Sequence, residues 1–371
     1  MRCCIVFEDS SKSNFGGGQR VSYQLLKTLN SFDIRLNLID FTDSSDFFNS
    51  SKYYTVSSLV LKKFNVNRKT NWNSFSFSIF EVLGTLLLIP LNLFLLLRYI
   101  QSHSKGSVII CTTKKTMLFG WILKFVFSDI KLVFHIHNYL RDTLFWSDSV
   151  RHIVSKSDEN WFVSESVKLS YGKYSHGMIL YNPVSLDFKF RDNDSIKYQF
   201  NVGVVSSLFG YKGVSYFLSS FFILPNELHG RIQFHVYGDG PQKVELQRTA
   251  KDCDFIHFHG FVADTNDIYK NIDILVCPSI DEEAFSLVLF EATCNSIPII
   301  ATNLEVHREF FSSEALLFVE PKNSQGISVA IERLVKDYEL RSSLVKNARA
   351  QIKGRFEVSF ESRLKKLYDD L

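Results

Sequence analysis

Short apolar runs alternate with stretches of helical periodicity along the whole chain, and they do so in two series. The first opens with CCIVF at 3–7 and passes through a glycine-rich turn into VSYQLLKTL. It continues through SVIICT at 107–112, KLVFHIH at 131–137, NWFVS at 160–164 and GMILY at 177–181, with helical stretches such as 115–127 between them. After Asn182 and Pro183 comes a polar, charged segment, SLDFKFRDNDSIK. The pattern then restarts at FNVGVVSS and runs through RIQFHVYG, DFIHFHG, IDILVCPS and IPIIAT. Continuous apolar strands separated by helices call for a parallel sheet covered on both faces. The expected fold class is therefore α/β, with two doubly wound Rossmann-like domains.

The 371 residues suit two domains better than one core. The boundaries read from the pattern are 1–184 for the first domain, 185–197 for a linker and 198–353 for the second. An amphipathic helix at 354–371 closes the chain; either domain could receive it, and packing back on the first is the expectation. A hydrophobic content of 46% against 22% charged residues describes a globular chain. The 35 phenylalanines are an unusual number, able to thicken a core or to supply surface that seeks lipid.

Net charge is only +3, but it is unevenly spread. The first 184 residues carry 21 Lys and Arg against 13 Asp and Glu, and the remainder 21 against 26. An anionic partner is therefore expected on the first domain. The six cysteines lack paired metal spacing and sit mostly in apolar runs, as small core residues of a reducing compartment do. The N-terminal apolar run ends at Glu8 and Asp9, too soon for a signal peptide, which gives a cytoplasmic expectation. One longer run, Val82–Leu97, is uncharged, but sixteen helical residues reach only about 24 Å, and Pro90 and Asn92 interrupt them. It reads first as a buried helix, then as one dipping into a membrane face, and last as a span.

Several turns carry candidate chemistry. NFGGGQR at 14–20 follows a strand and opens a helix, so its amides suit an anion. A dinucleotide fingerprint would need a further glycine where Val21 stands, which counts against a nicotinamide cofactor even though Asp40 could serve as the ribose acid. FHIHN places His135 and His137 on one face at a strand end, with no third metal ligand near in sequence. Lys212–Gly213, GDGP at 238–241 and HGFV at 259–262 each end a strand. In DEEAFSLVLFEATC, Glu291 stands among Phe285, Leu287, Val288, Leu289 and Phe290, where a carboxylate needs a partner.

Taken in order, these signals resemble retaining glycosyltransferase family four, the glycosyl transferases group 1. The resemblance runs from GGGQRV to the last helix and is most specific at 260–309, GFVADTNDIYKNIDILVCPSIDEEAFSLVLFEATCNSIPIIATNLEVHRE. It implies the GT-B fold, two Rossmann-like domains facing a central cleft, with a nucleotide-diphosphate sugar held mainly by the second domain and neither cofactor nor metal required. Carried over by position, His137 faces the sugar, Lys212 the diphosphate, Glu283 the sugar hydroxyls and Glu291 the ribose. The amides of Phe285, Ser286 and Leu287 face the phosphates. Further donor contacts fall at Gly16, Gly17 and Gly18 and at Gly238, Gly240, Gly260 and Phe261. Where the interval from Glu283 to Glu291 is helical it covers about 12 Å, which suits opposite sides of a diphosphate.

The chain also departs from the family pattern. Val204 follows Gly203 where an arginine is usual, and the interval from Gly203 to Lys212 is long. Ala284 and Ser296 replace frequent glycines, and Leu304, Glu305 and Val306 fill a loop that is often glycine-rich. On the acceptor side, residues 47–80 hold no Asp or Glu, while Lys52, Lys62, Lys63, Arg68 and Lys69 mix with Phe64, Trp72, Phe75 and Phe77. With the run that follows, 47–100 is expected to meet an anionic membrane surface, making the protein peripheral on the inner face of the plasma membrane. No nucleic-acid module is present. The expected activity is retaining, metal-independent transfer of a sugar to a saccharide or lipid-linked saccharide, in bacterial surface polysaccharide assembly. The rival is a catalytically silent relative that binds carbohydrate or a partner protein.

Overall fold

A computed structural model of the chain describes residues 3–9, 17–41, 57–61, 88, 90–102, 107–141, 147–189, 197–281 and 283–371. Gly16, most of the basic stretch 47–80, most of 82–89 at the start of the apolar run 82–97, and 190–196 of the expected linker lie outside the described residues. The chain forms two compact units. The first comprises Met1–Val163, Val167–Pro183 and Glu361–Leu371, and the second Ser164–Ser166 and Val184–Phe360.

In the first unit β1 (Cys3–Glu8), β2 (Arg35–Asp40), β3 (Ser57–Val60), β4 (Val108–Cys111), β5 (Lys131–Ile136), β6 (Glu159–Phe162) and β7 (Met178–Ile179) form one sheet. Its order is β3-β2-β1-β4-β5-β6-β7, and every pairing is parallel. β1 lies inside the sheet, between β2 and β4, and is buried along its whole length, which is why CCIVF carries no solvent-facing position. Phe7 on β1 packs on Phe41 and Phe119, with centroids 5.8 and 6.1 Å apart. The last helix, Phe360–Asp369, buries Leu364 and Tyr368 in this unit, with the Tyr368 ring 6.2 Å from Phe32. It is separate from the preceding helix Tyr338–Arg355, whereas the sequence pattern had treated 354–371 as one element.

The second unit repeats the plan with β8 (Phe200–Val205), β9 (Ile232–Tyr237), β10 (Ile256–Gly260), β11 (Ile274–Cys277), β12 (Ile299–Thr302) and β13 (Leu317–Val319). The order is β10-β9-β8-β11-β12-β13, again parallel throughout. One face of β8 and β9 supplies Val202, Val204, Phe234 and Val236 to a core shared with the helices Val214–Phe221 and Ser324–Lys336. Phe217 stacks on Phe234 at 4.3 Å. On the opposite face, Phe290 gathers Phe285, Phe310 and Phe356 within 4.8 to 5.4 Å. Part of the phenylalanine excess thus goes into aromatic packing, worth about 0.5–1.5 kcal/mol per pair beyond area burial.

The first sheet also encloses an acid. Glu8 ends β1 in register with Asp40 at the end of β2, and both side chains are buried. Thr112 donates its hydroxyl to Glu8 Oε2 at 2.8 Å, and the Asp9 amide donates to Oε1 at 3.1 Å. Burial raises the Glu8 pKa from 4.5 to about 7; hydrogen bonds from Ser22 and Thr112 pull the other way, and the Asp40 carboxylate adds to the rise. Folding therefore takes up a proton between pH 4.5 and about 7, and stability falls as pH rises through that window. Glu8→Gln, which cannot ionise, is expected to gain about 2–3 kcal/mol relative to the wild type between pH 4.5 and 8. Urea unfolding at a series of pH values measures this, and a constant difference between the two proteins would refute it.

Candidate active site

In a doubly wound sheet, ligands bind beyond the carboxyl ends of the strands where the order reverses, because adjacent loops there part in opposite directions. In the second unit that point lies between β8 and β11. The turn Gly210–Lys212 follows β8, and the loop carrying Ser279 and Glu283 follows β11. Gly213 brings the two loops together. Its φ is +66°, and a Cβ at this residue would lie 2.0 Å from the Pro278 carbonyl oxygen. The Ile280 amide donates to Tyr211 O at 2.8 Å across the same junction.

Here Lys212 donates from Nζ to Glu283 Oε1, and the Ser279 hydroxyl donates to the same oxygen at 2.6 Å. Glu283 is only 8% exposed. Burial alone would raise its pKa, but the Lys212 ammonium, the nearby His307 and the two hydrogen bonds outweigh burial and lower it. Burial likewise works against the Lys212 charge, and the Glu283 carboxylate outweighs it, raising the pKa. The pair is thus ionised, desolvated and held against a fixed backbone.

A second polar chain lies beside it. Thr302, at the end of β12, donates its hydroxyl to Ser279 O at 2.5 Å and accepts from His307 Nδ1 at 2.7 Å through its carbonyl. Ser286 Oγ lies 2.9 Å from His307 Nε2. Ser286 precedes the helix Leu287–Cys294, which buries Leu289, Phe290, Ala292, Thr293 and Cys294. Leu287, Val288 and Glu291 share its less buried stripe, as positions three and four apart on a helix do. Tyr269 donates its hydroxyl to Glu291 Oε2 at 2.7 Å. Sequence reasoning did not single out Tyr269, Thr302 or His307. Nothing in DIYKNID, IIATN or LEVHRE separates them from ordinary helix and strand residues.

The remaining expected positions fall as follows. Only the second half of the interval from Glu283 to Glu291 is helical. The Leu287 amide, expected with those of Phe285 and Ser286 to face the phosphates, donates instead to Phe285 O at 3.1 Å. Gly238 and Gly240 follow β9; Gly238 has a φ of +133°, and its Cβ would strike Ser206 O. The Gly240 amide donates to the Asp239 side chain at 2.8 Å. Gly260 ends β10, and Phe261 beyond it is 45% exposed. Gly17 and Gly18 are the first residues of the helix Gly17–Asn30 rather than a loop. In the first unit His137 follows β5, with Nε2 3.1 Å from His135 Nδ1. Burial lowers the pKa of both, that of His137 to about 4, so the rings are neutral at pH 7.

The structure also relocates one departure. Val204 faces the hydrophobic core, so an arginine there would not reach a loop ligand. The strand continues to Val205, and the first loop positions are Ser206 and Ser207. Ser296, where a glycine was expected, has the left-handed φ of 57° that explains the preference, and its hydroxyl donates to Lys189 O at 2.7 Å.

Residues 187–351 match the family described as glycosyl transferases group 1. An uncharacterized glycosyltransferase of Methanocaldococcus jannaschii is 26% identical over 187 residues, 46% of this chain and 47% of that protein. The O-antigen biosynthesis glycosyltransferase WclY of Escherichia coli is 24% identical over 221 residues, 51% of this chain and 58% of that protein. The chain thus matches about half the length of these curated relatives. Among solved structures, Anabaena HepE in complex with UDP aligns over 100% of both chains with a TM-score of 0.78 and 19% identity. That likeness is one of fold, the GT-B fold of two Rossmann-like halves.

Lys212→Met strands the buried Glu283 charge and is expected to lower stability by about 3–5 kcal/mol. Lys212→Met combined with Glu283→Leu should lose less than Lys212→Met alone, because no ion is then left unpaired. Denaturant unfolding of the three proteins measures the coupling; additive losses would refute it.

Proposed function

We propose that the protein, whose residues 187–351 match the glycosyl transferases group 1 family, is a retaining glycosyltransferase using a nucleotide-diphosphate sugar. The observation that carries this reading is the Lys212–Glu283 pair at the switch point, with a helix start and a second carboxylate, Glu291, on the element that follows. An ammonium and a helix N-terminus both favour a diphosphate. HepE was solved with UDP, which supports a nucleotide donor for a chain of the same fold.

In this reading Lys212 offsets the charge that grows on the departing diphosphate, a kind of stabilisation commonly worth about 10²- to 10³-fold in rate. Glu283 takes hydroxyls of the transferred sugar, and the amides of Phe285 and Ser286 meet the phosphates. Glu291 accepts from the ribose, with Tyr269 fixing its orientation. The glycine turns at Gly238, Gly240 and Gly260, with Phe261, serve the nucleoside. His137, neutral at pH 7, is a hydrogen-bonding group for the sugar rather than a cation. The acceptor oxygen bonds to the anomeric carbon on the face from which the diphosphate leaves, so configuration is retained. The acceptor proton passes to the leaving phosphate, so neither a protein nucleophile nor a metal is called on. The protein contributes orientation and electrostatics.

The acceptor is proposed to be a lipid-linked saccharide of bacterial surface polysaccharide assembly, met at an anionic membrane face by residues 47–100. The names of relatives such as WclY support the first part. Two apolar side chains of the helical residues 90–102, Leu91 and Phe94, are exposed, as is Phe125, and these support the second. Among the described residues no helix is long and apolar enough to cross a membrane.

A thermal-shift panel of UDP, GDP, ADP and their sugar conjugates tests the donor, since a ligand at 100 times its dissociation constant adds about 2.7 kcal/mol. The expected result is a rise with one base and its sugar conjugates; no rise with any would overturn the reading. Glu291→Gln still accepts from Tyr269 but loses charge-assisted bonds of roughly 1.5–3 kcal/mol to the ribose. It is expected to weaken that nucleotide by tenfold or more. Unchanged affinity would remove Glu291 from the donor.

A further inference from the structure

Serine at a helix N-cap ordinarily turns its oxygen back to accept from an amide of the first turn. Ser286 does not: it makes no side-chain cap bond to the helix Leu287–Cys294. The reason is His307, on the helix Glu305–Phe310. Its Nδ1 faces the Thr302 carbonyl at 2.7 Å, and a carbonyl only accepts, so Nδ1 carries the proton. Nε2 is then the acceptor, and the Ser286 hydroxyl donates to it at 2.9 Å. His307 is fully buried, and burial outweighs the pull of Glu283 and of the Thr302 bond to keep it neutral. The tautomer is thus fixed by the fold.

We infer that His307 is a positioning residue for the donor: by holding the Ser286 hydroxyl, it keeps that side chain from capping the helix whose start receives the diphosphate. This rests on the donor reading given above. A side-chain cap would draw on a first-turn amide such as that of Val288, next to the Phe285 and Ser286 amides assigned to the phosphates, and a helix start so satisfied is a poorer anion site. The same imidazole ties the helix start to Thr302, which bonds Ser279, which in turn bonds Glu283. The LEVH segment that fills an often glycine-rich loop thereby gains a task, since it begins the helix that carries the imidazole.

Two substitutions separate the nitrogens. His307→Asn places an amide N–H near Nδ1 and keeps the Thr302 bond, but offers Ser286 no acceptor. His307→Gln places a carbonyl oxygen near Nε2 and keeps the Ser286 bond, while dropping Thr302. Titration calorimetry with UDP, GDP and ADP, and with the matching nucleosides, reads the effect. His307→Asn is expected to weaken the bound diphosphate about fivefold, the scale of a serine cap, and to leave the nucleoside unaffected. His307→Gln should bind the diphosphate within about twofold of the wild type, and Ser286→Ala added to His307→Asn should restore most of the loss, because no cap remains to compete. A merely structural histidine would not distinguish diphosphate from nucleoside. Equal diphosphate affinity in His307→Asn and wild type, or no recovery in the double variant, overturns the role of His307 while leaving the donor site intact. Failure of the wild type to bind any of the three diphosphates overturns the donor reading and this inference with it.

Discussion

The ion pair between Lys212 and Glu283 is the contact on which the second unit's site depends. Two charges taken out of water cost several kcal/mol each, and only close geometry with additional hydrogen bonds recovers that cost. Here the geometry comes from backbone: Gly213 lets the loop after β8 approach Pro278 at a distance no side chain would permit, and the Ile280 amide fastens the junction. The pair and the junction are mutually required. A lysine on a freer loop would prefer water, and a glutamate without it would be left as an unpaired buried charge.

From this pair the polar connections extend through Ser279 and Thr302 to His307 and Ser286, crossing the carboxyl ends of β11 and β12. Each bond has an unambiguous donor, so one arrangement of protons satisfies all of them. The consequence is a helix start whose serine is occupied elsewhere. Glu291, one turn further on, is oriented by Tyr269 from a different element. Side chains on four separate segments hold this arrangement together.

The same topological rule brings different chemistry in the first unit. Its sheet reverses order between β1 and β4, and there Glu8 and Thr112 meet beside Asp40. Burial raises the Glu8 pKa to about 7, whereas the Lys212 ammonium outweighs burial and lowers that of Glu283. Two buried glutamates, one ending β1 and one in the loop after β11, thus titrate in opposite directions.

Much of the fold was legible from pattern because a parallel sheet buried on both faces needs uninterrupted apolar strands, and most strands announce themselves that way. β3 and β13 escaped notice: SSLV is half polar, and LFV is too short to stand out from its surroundings. The order of strand-end signals likewise pointed to the second unit's loops, where the structure brings Lys212 and Glu283 together. The sequence by itself determined the alternation, the two α/β halves and the kinds of side chain available at the strand ends, since these follow from local periodicity and turn chemistry. Only the tertiary structure decided the partners. Tyr269 meets Glu291, His307 meets Ser286, Val204 turns into the core, and the last helix joins the first unit; each depends on segments brought together by sheet order, which no local pattern encodes.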